Sequence, residues 1–453
     1  MGLNRILDIG MSGLYAASAA LQTASHNVAN VGTSGFSRQS VTTGTRMPLG
    51  NSYGLLGGGA DITGIRRLTD EFLIGRLRGQ TAHMQAQQQT DLTLQEIELV
   101  LGPAGDNPIG TALDTFFASW SELSSPPITD ELRRDVLDKA ALLAGQISGA
   151  AAGFQDLAVQ MERRVNDSVG ILNDLLRGVA DLNGQIQLAE GPGEFANDLR
   201  DRRDYLLQEI AQLTEVEAVG RGDGTVDVII AGRTVVVRDQ VDELDVSHDA
   251  ETGVVQITAG NRNYPLGIQG GEIGGLISSL HAEVVNTQAM LDDFAAELID
   301  RVNQVHVQGR TAGGSGLMFF TGTDAASIGV NPQLESRPDM LATSRTGLSG
   351  DNDIAREIAA LGTETANSSI QNNLSELFGT LITDVAAAGA SSRLKLESQQ
   401  QTLDALTVRL ESVRGVSLDE EAANMARYQN AYAASAKVIA TAQDMFDTIL
   451  SIF

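Results

Sequence analysis

The sequence predicts a mainly α-helical protein with an inserted β-rich domain. Long helices at its two termini pair as a coiled coil around a helical-bundle middle domain. Three observations predict this. Heptad spacing of apolar residues occurs at both ends, strict valine and isoleucine alternation is confined to residues 216–270, and aromatics are only 4% of a chain whose hydrophobic share is 42%. That share supports packed cores, and 453 residues exceed one ordinary core, so two or three domains are expected.

In the first helix Leu7, Leu14, Leu21 and Val28 fall seven apart. Leu3, Gly10, Ala17 and Ala24 fill the alternate positions, which makes an a/d seam with one very small side open to a close partner. The helix ends at 30–35, where Asn30, Gly32 and Gly35 accept left-handed backbone, and Asn27 and Asn30 are read as helix-stop residues rather than ligands. Residues 38–64 are rich in Gly, Ser and Thr and form a loop or extended hairpin.

Helices are expected over 69–101, 109–123, 129–187 (as more than one helix) and 195–212, with Thr129 as an N-cap ahead of Asp130 and Glu131. Val226, Val228 and Ile230, the turn at Ala231-Gly232-Arg233, then Val235 and Val237 read as a hairpin. A second hairpin spans 244–257 and turns at 249–253. Gly270 to Gly275 closes the insert, helix returns over 276–307, and 309–350 mixes short strands and turns.

Leu396, Leu403 and Leu410 with Leu406 and Val413 form a second seam, stopped by Gly415. Ser417 and Glu420 then set up a capping box. From there Leu418, Met425, Tyr432, Ile439, Phe446 and Phe453 repeat every seven residues, with Tyr428, Ala442 and Ile449 filling part of the other line. Heptads state that a partner exists, not whose it is, so burial within one molecule and burial between molecules both stay open. The nearly uncharged end at 449–453 points toward cover by another protein. The domains are thus 1–64 with 405–453 (terminal-helix assembly), 65–215 with 271–404 (helical bundle, short strands about 311–350) and 216–270 (β-rich insert).

Composition narrows the function. A net charge of −27 and a pI near 4.4 disfavour nucleic acid and anionic membranes, which need a basic surface. With no cysteine, disulfides, cysteine–zinc sites and thiol catalysis are excluded. No apolar run reaches the ~20 residues of a membrane span, and the first residues lack a secretory signal core. His26, His83, His248, His281 and His306 show no metal spacing, and His306 is expected to cap or pack at a helix end. Asp292-Asp293 and Glu420-Glu421 splay apart on a helix and read as solvated faces. The glycine runs lack the setting of a phosphate cradle, and Arg221-Gly222-Asp223 reads as a plain turn. No enzyme, metal or cofactor is expected.

The run from Asn27 to Arg38, with Asn30, Thr33, Gly35 and Phe36, resembles the N-terminal signature of bacterial flagellar axial (rod, hook and filament) proteins; so does Ser12-Gly13-Leu14-Tyr15-Ala16 before it. Gln429 to Ala434 and Met445 to Leu450 resemble the matching C-terminal signature. Residues 291–306 and Phe319-Phe320 are similar to the family's members at the junction of hook and filament. The resemblance implies a non-enzymatic subunit exported unfolded by the flagellar type III apparatus. Its implied partners are copies of itself in a ring or helical array, the hook protein, a neighbouring hook-associated protein on the filament side, and an export chaperone on the C-terminal helix. The alternatives are another axial subunit or, from a different class, a secreted hydrolase with coiled-coil ends.

Overall fold

The computed structural model describes residues 2–51, 54–103, 105, 107–191, 194–249, 254–260, 264–311, 314–348, 350–363 and 373–451. The chain opens with helix α1 (Gly2–Ala29). Strands β1 (Gln39–Thr45) and β4 (Ala60–Arg67) then pair antiparallel, Gln39 opposite Arg67, with a bulge at Thr42/Thr43. The tip pair β2 (Leu49–Asn51) and β3 (Gly54–Leu56) extends them.

The body follows with α2 (Glu71–Leu101), α3 (Pro108–Leu123), α4 (Asp130–Ala189) and α5 (Asn197–Leu213). Thr129 caps α4 by accepting from the Leu132 N–H at 3.3 Å, with Asp130 and Glu131 in the first turn where the helix dipole favours them. The expected break within 129–187 is corrected: α4 is one helix of 60 residues, about 90 Å long. Its interior has six glycines but no proline, none of those glycines turns left-handed, and one face from Val136 to Ile186 is buried throughout. That burial outweighs a glycine cost of about 1 kcal/mol each.

Strands β5 (Val216–Gly220), β6 (Val226–Ile230), β7 (Arg233–Val237) and β8 (Gln240–Val241) make an antiparallel four-stranded meander. The β6–β7 turn has Ala231 at φ 48 and Gly232 at φ 75, the two positive angles of a two-residue hairpin loop. β9 (Leu244–His248) and β10 (Val255–Ala259) form the second hairpin, joined by β11 (Tyr264–Leu266); its turn at 250–253 lies outside the described residues. Val228, Ile230, Val236, Leu244 and Ile257 are buried in one continuous core with α4.

Helix returns earlier than expected. α6 (Gly271–Ser279) begins inside the glycine run, passes through a π-helical turn at Leu280–Val284, and continues as α7 (Val285–His306). A methyl group at Gly275 would stand 2.7 Å from the Ala86 carbonyl oxygen and one at Gly271 2.2 Å from the Thr214 nitrogen, so these glycines admit close contact with α2 and the end of α5 rather than ending an element. Four two-residue strands follow, β12 (Arg310–Thr311), β13 (Gly314–Ser315), β14 (Phe320–Thr321) and β15 (Gly329–Val330), then α8 (Pro332–Ser336) and α9 (Asp353–Ala360). The chain closes with α10 (Leu374–Arg414) and α11 (Leu418–Leu450).

The centre of the core is an aromatic nest of Phe116, Trp120, Phe319 and Phe320, with His306 edge-on to Trp120 and Phe319. His306 Nδ1 lies 2.6 Å from the Leu317 carbonyl, and Nε2 accepts from the Ala342 N–H at 3.1 Å. It is a packed helix-end histidine whose burial lowers its pKa to about 4.

Candidate assembly face at the chain ends

The two ends of the chain meet. Methyl groups at Gly10 and Gly13 would stand 2.8 Å from Ile439 Cγ1 and 2.8 Å from Ser435 Oγ, so α1 and α11 run antiparallel at close range. The small line of the α1 seam makes this contact, since Gly10, Ala17 and Ala24 are buried while Leu3, Leu7, Leu14, Leu21 and Val28 are half-buried. The other seam is satisfied elsewhere: α10 lies along α2, where Leu410, Leu403 and Leu406 pack on Leu73, Ile74 and Leu77.

The signature turn holds this pair to the body. Asn27 is corrected from helix stop to clamp. It is buried inside α1, its Nδ2 donates to the Gln39 carbonyl at 2.9 Å, and its Oδ1 accepts the Gln39 N–H at 2.9 Å, fixing the start of β1. Asn30 does close the helix end, with backbone and side-chain N–H both reaching the His26 carbonyl, and its Oδ1 accepts from Thr33 Oγ1. Neither Asn30 nor Gly32 turns left-handed; Gly35 does, at φ 80 against the Tyr205 ring. Phe36 sits edge-on to His26, ring centroids 5.5 Å apart.

Arg38 is the residue that pattern reading passed over. Its backbone N–H donates to the Arg414 carbonyl at 3.0 Å, which sets the corner between α10 and α11. Its guanidinium donates to Glu421 at 2.7 Å and to Glu420 at 2.6 Å. Glu421 is therefore not a solvated-face residue; its side chain is only 3% exposed. Nor does Glu420 complete the expected capping box: Ser417 accepts from the Glu420 N–H, but the Glu420 carboxylate goes to Arg38. A full box stands instead at Asn373 and Glu376, heading α10.

Below the turn, Asp201 accepts from the Ser37 N–H and from Arg67, while Asp204 accepts from Arg67 and Arg78. Burial alone would push the Asp204 carboxyl up; the two arginines outweigh it and hold the group below the usual carboxylate range. Arg203, buried on carbonyl and amide oxygens, falls to about 10 for lack of solvent. No sequence spacing announces this network, because its members come from three separate elements.

Much of the apolar surface of α11 remains uncovered, as does part of α1 at Ile6, Ile9, Met11 and Tyr15. Leu418, Tyr432, Phe446 and Ile449 are exposed, as are Val438, Met445 and Leu450, while Met425 and Ile439 are half-buried against α1. Phe453 lies outside the described residues. Among the described residues no group of His, Cys, Asp and Glu is arranged to hold a metal ion, and no helix is long and apolar enough to cross a membrane.

Residues 94–320 match the family model for the helical domain of flagellar hook-associated protein FlgK. Residues 412–452 match the C-terminal model of flagellar basal body rod FlgEFG proteins, and residues 7–36 match the flagella basal body rod protein model. Flagellar hook-associated protein 1 of Salmonella typhimurium strain LT2 is 24% identical, with 99% of this chain and 100% of that protein covered. The Bacillus subtilis strain 168 protein of the same name is 26% identical, with 98% and 97% covered. The solved structure of the flagellar hook junction protein FlgK from Burkholderia pseudomallei shares the fold, at a TM-score of 0.66 and 13% identity over 75% of this chain and 100% of that one. Two terminal motifs at the correct ends and a helical body that fills the space between them agree: the chain belongs to the flagellar hook-associated protein FlgK family.

Proposed function

We propose that this chain is a non-catalytic structural subunit that joins the flagellar hook to the filament by burying its terminal helices against neighbouring subunits. The observation that carries this is the apolar stripe of α11, from Tyr432 to Leu450, left in water by a helix whose principal partner is α1. Each such side chain gains about 1.5–3 kcal/mol when covered. The assembly unit is 1–64 with 405–453, with seams Leu3, Leu7, Leu14, Leu21 and Val28 and Leu418, Met425, Tyr432, Ile439, Phe446, Ile449 and Phe453. The turn around Asn27, Asn30, Thr33, Gly35 and Phe36 sets its angle to the helical body (65–215 with 271–404), and residues 216–270 face outward.

The partners are further copies in a ring or helical array, the hook protein on one side and a hook-associated protein on the filament side. Export proceeds unfolded through the flagellar type III route, which suits a chain without cysteine. A chaperone covers the greasy end of α11 until then. Deletion of residues 418–453 tests the reading. The expected result is a folded body, cells with hooks but no filaments, and filament protein shed into the medium. Normal swimming after the deletion refutes it.

A further inference from the structure

Beside the signature turn the surface opens into a cleft of about 520 Å³, lined by His26, Phe36, Asp198, Arg202, Tyr205 and the turn itself. Of its acids, Asp201 is buried and taken by Arg67 and Ser37, while Asp198 stays exposed, accepts from Gln39 at 2.8 Å and lies 3.4 Å from His26 Nε2. Arg202 is exposed, and among the described residues no carboxylate pairs with it. The cleft is therefore an aromatic slot in which Asp198 is engaged by Gln39 and His26, while Arg202 at the rim has no acidic partner among the described residues.

The tip of α11 has the opposite character. Met445, Phe446, Ile449 and Leu450 are 41–64% exposed, and beside them Asp444 and Asp447 are exposed, with no basic partner among the described residues. The tip cannot reach the cleft of its own chain. Ile439 already lies against Gly10, so residues 445–450 lie beside the start of α1, whereas the cleft begins at His26. About 23 residues of helix separate the two, roughly 35 Å at 1.5 Å each.

We propose that the cleft receives the α11 tip of a second copy, with Phe446, Ile449 or Leu450 entering between Phe36 and Tyr205 and Asp444 or Asp447 meeting Arg202. The proposal rests on the assembly reading above and names the contact that carries it. A contact between two different surfaces at opposite ends of one rod is head-to-tail. It closes into a ring or continues as a helix, rather than stopping at a dimer.

The test uses the full-length chain with a fluorescent peptide of residues 436–453 as probe, read by anisotropy. Saturable binding is expected, weakened roughly tenfold or more by Tyr205→Asp, as for an aromatic anchor, and retained by Tyr205→Phe. Arg202→Glu weakens binding as well, and a peptide with Asp444 and Asp447 both changed to Lys recovers it. Circular dichroism checks that each variant is folded. Absent binding, or binding indifferent to Tyr205→Asp, overturns the proposal. If that happens while deletion of 418–453 still abolishes filaments, assembly stands and only this contact falls; normal filaments after the deletion remove assembly itself.

Discussion

Arg38→Met removes both charge-assisted bonds to the start of α11 and keeps the apolar stem of the side chain. The bond to Glu420 counts for little, since that carboxylate is 62% exposed and such a pair is worth about 0–1 kcal/mol. The bond to Glu421 counts for more, because its carboxylate is 3% exposed and would be stranded away from water. Breaking one side of a buried pair costs about 3–5 kcal/mol. The loss is local: Arg38 touches the corner at Arg414 and the first turn of α11, not the aromatic core around Trp120. Hydrogen exchange is therefore the assay. Amides of residues 418–428 and of the facing end of α1 should exchange about two to three orders of magnitude faster, while α3, α4 and α7 keep their protection. Replacing both partners, as Arg38→Met with Glu421→Leu, should restore most of the protection because no charge is left buried. Unchanged exchange in 418–428, or a double variant as loose as the single one, refutes the reasoning.

Other outcomes follow from the same geometry. Asn27→Ala leaves the Gln39 N–H and carbonyl without their buried partner and should cost about 2–4 kcal/mol, seen as early melting of the β1–β4 hairpin in hydrogen exchange. His306 titrates near 4 when folded and near 6.5 when unfolded, so the native state binds fewer protons. Its contribution is complete above pH about 6.5 and is lost as pH falls toward 4, about 3 kcal/mol in all. His306→Gln should flatten that part of the pH dependence in thermal melts while lowering stability at neutral pH. Gly275→Val drives a side chain into Ala86 backbone and should destabilise the body by at least about 1–3 kcal/mol in urea unfolding, with α11 exchange unaffected.

Elements governed by local chemistry were legible in the sequence. The α1 heptads, the Ala231-Gly232 turn and the Thr129 cap are each decided within a few residues, and each stands where its pattern puts it. Features decided at a distance were not. Glycines 145 to 184 look like helix breaks until the opposite face of the same helix, from Val136 to Ile186, is seen to be buried while the glycines stay off it. Gly271 and Gly275 look like a loop until the Leu213–Thr214 backbone and α2, respectively, are placed against them. Glu421 looks like half of a solvated pair because its partner Arg38 is 383 residues away. At the candidate site the apolar seams were readable, whereas the polar clamps that aim them, Asn27 on Gln39 and Arg38 on Glu421, needed the fold.

The two late heptad seams look alike on paper and differ in what covers them. The α10 seam meets Leu73, Ile74 and Leu77 of α2, full side chains that give apolar burial in return. The α11 seam meets Gly10 and Gly13, which bring the backbones close but contribute no side chain. Six α11 residues, Tyr432, Val438, Met445, Phe446, Ile449 and Leu450, stay 41–64% exposed. Roughly half of their burial is unclaimed, about 5–9 kcal/mol per subunit. Association itself costs about 4–15 kcal/mol in lost freedom. One neighbour thus binds only weakly, and free subunits stay apart in dilute solution. A subunit in the proposed array would meet several neighbours while losing its freedom once. The surplus then appears only within the proposed array.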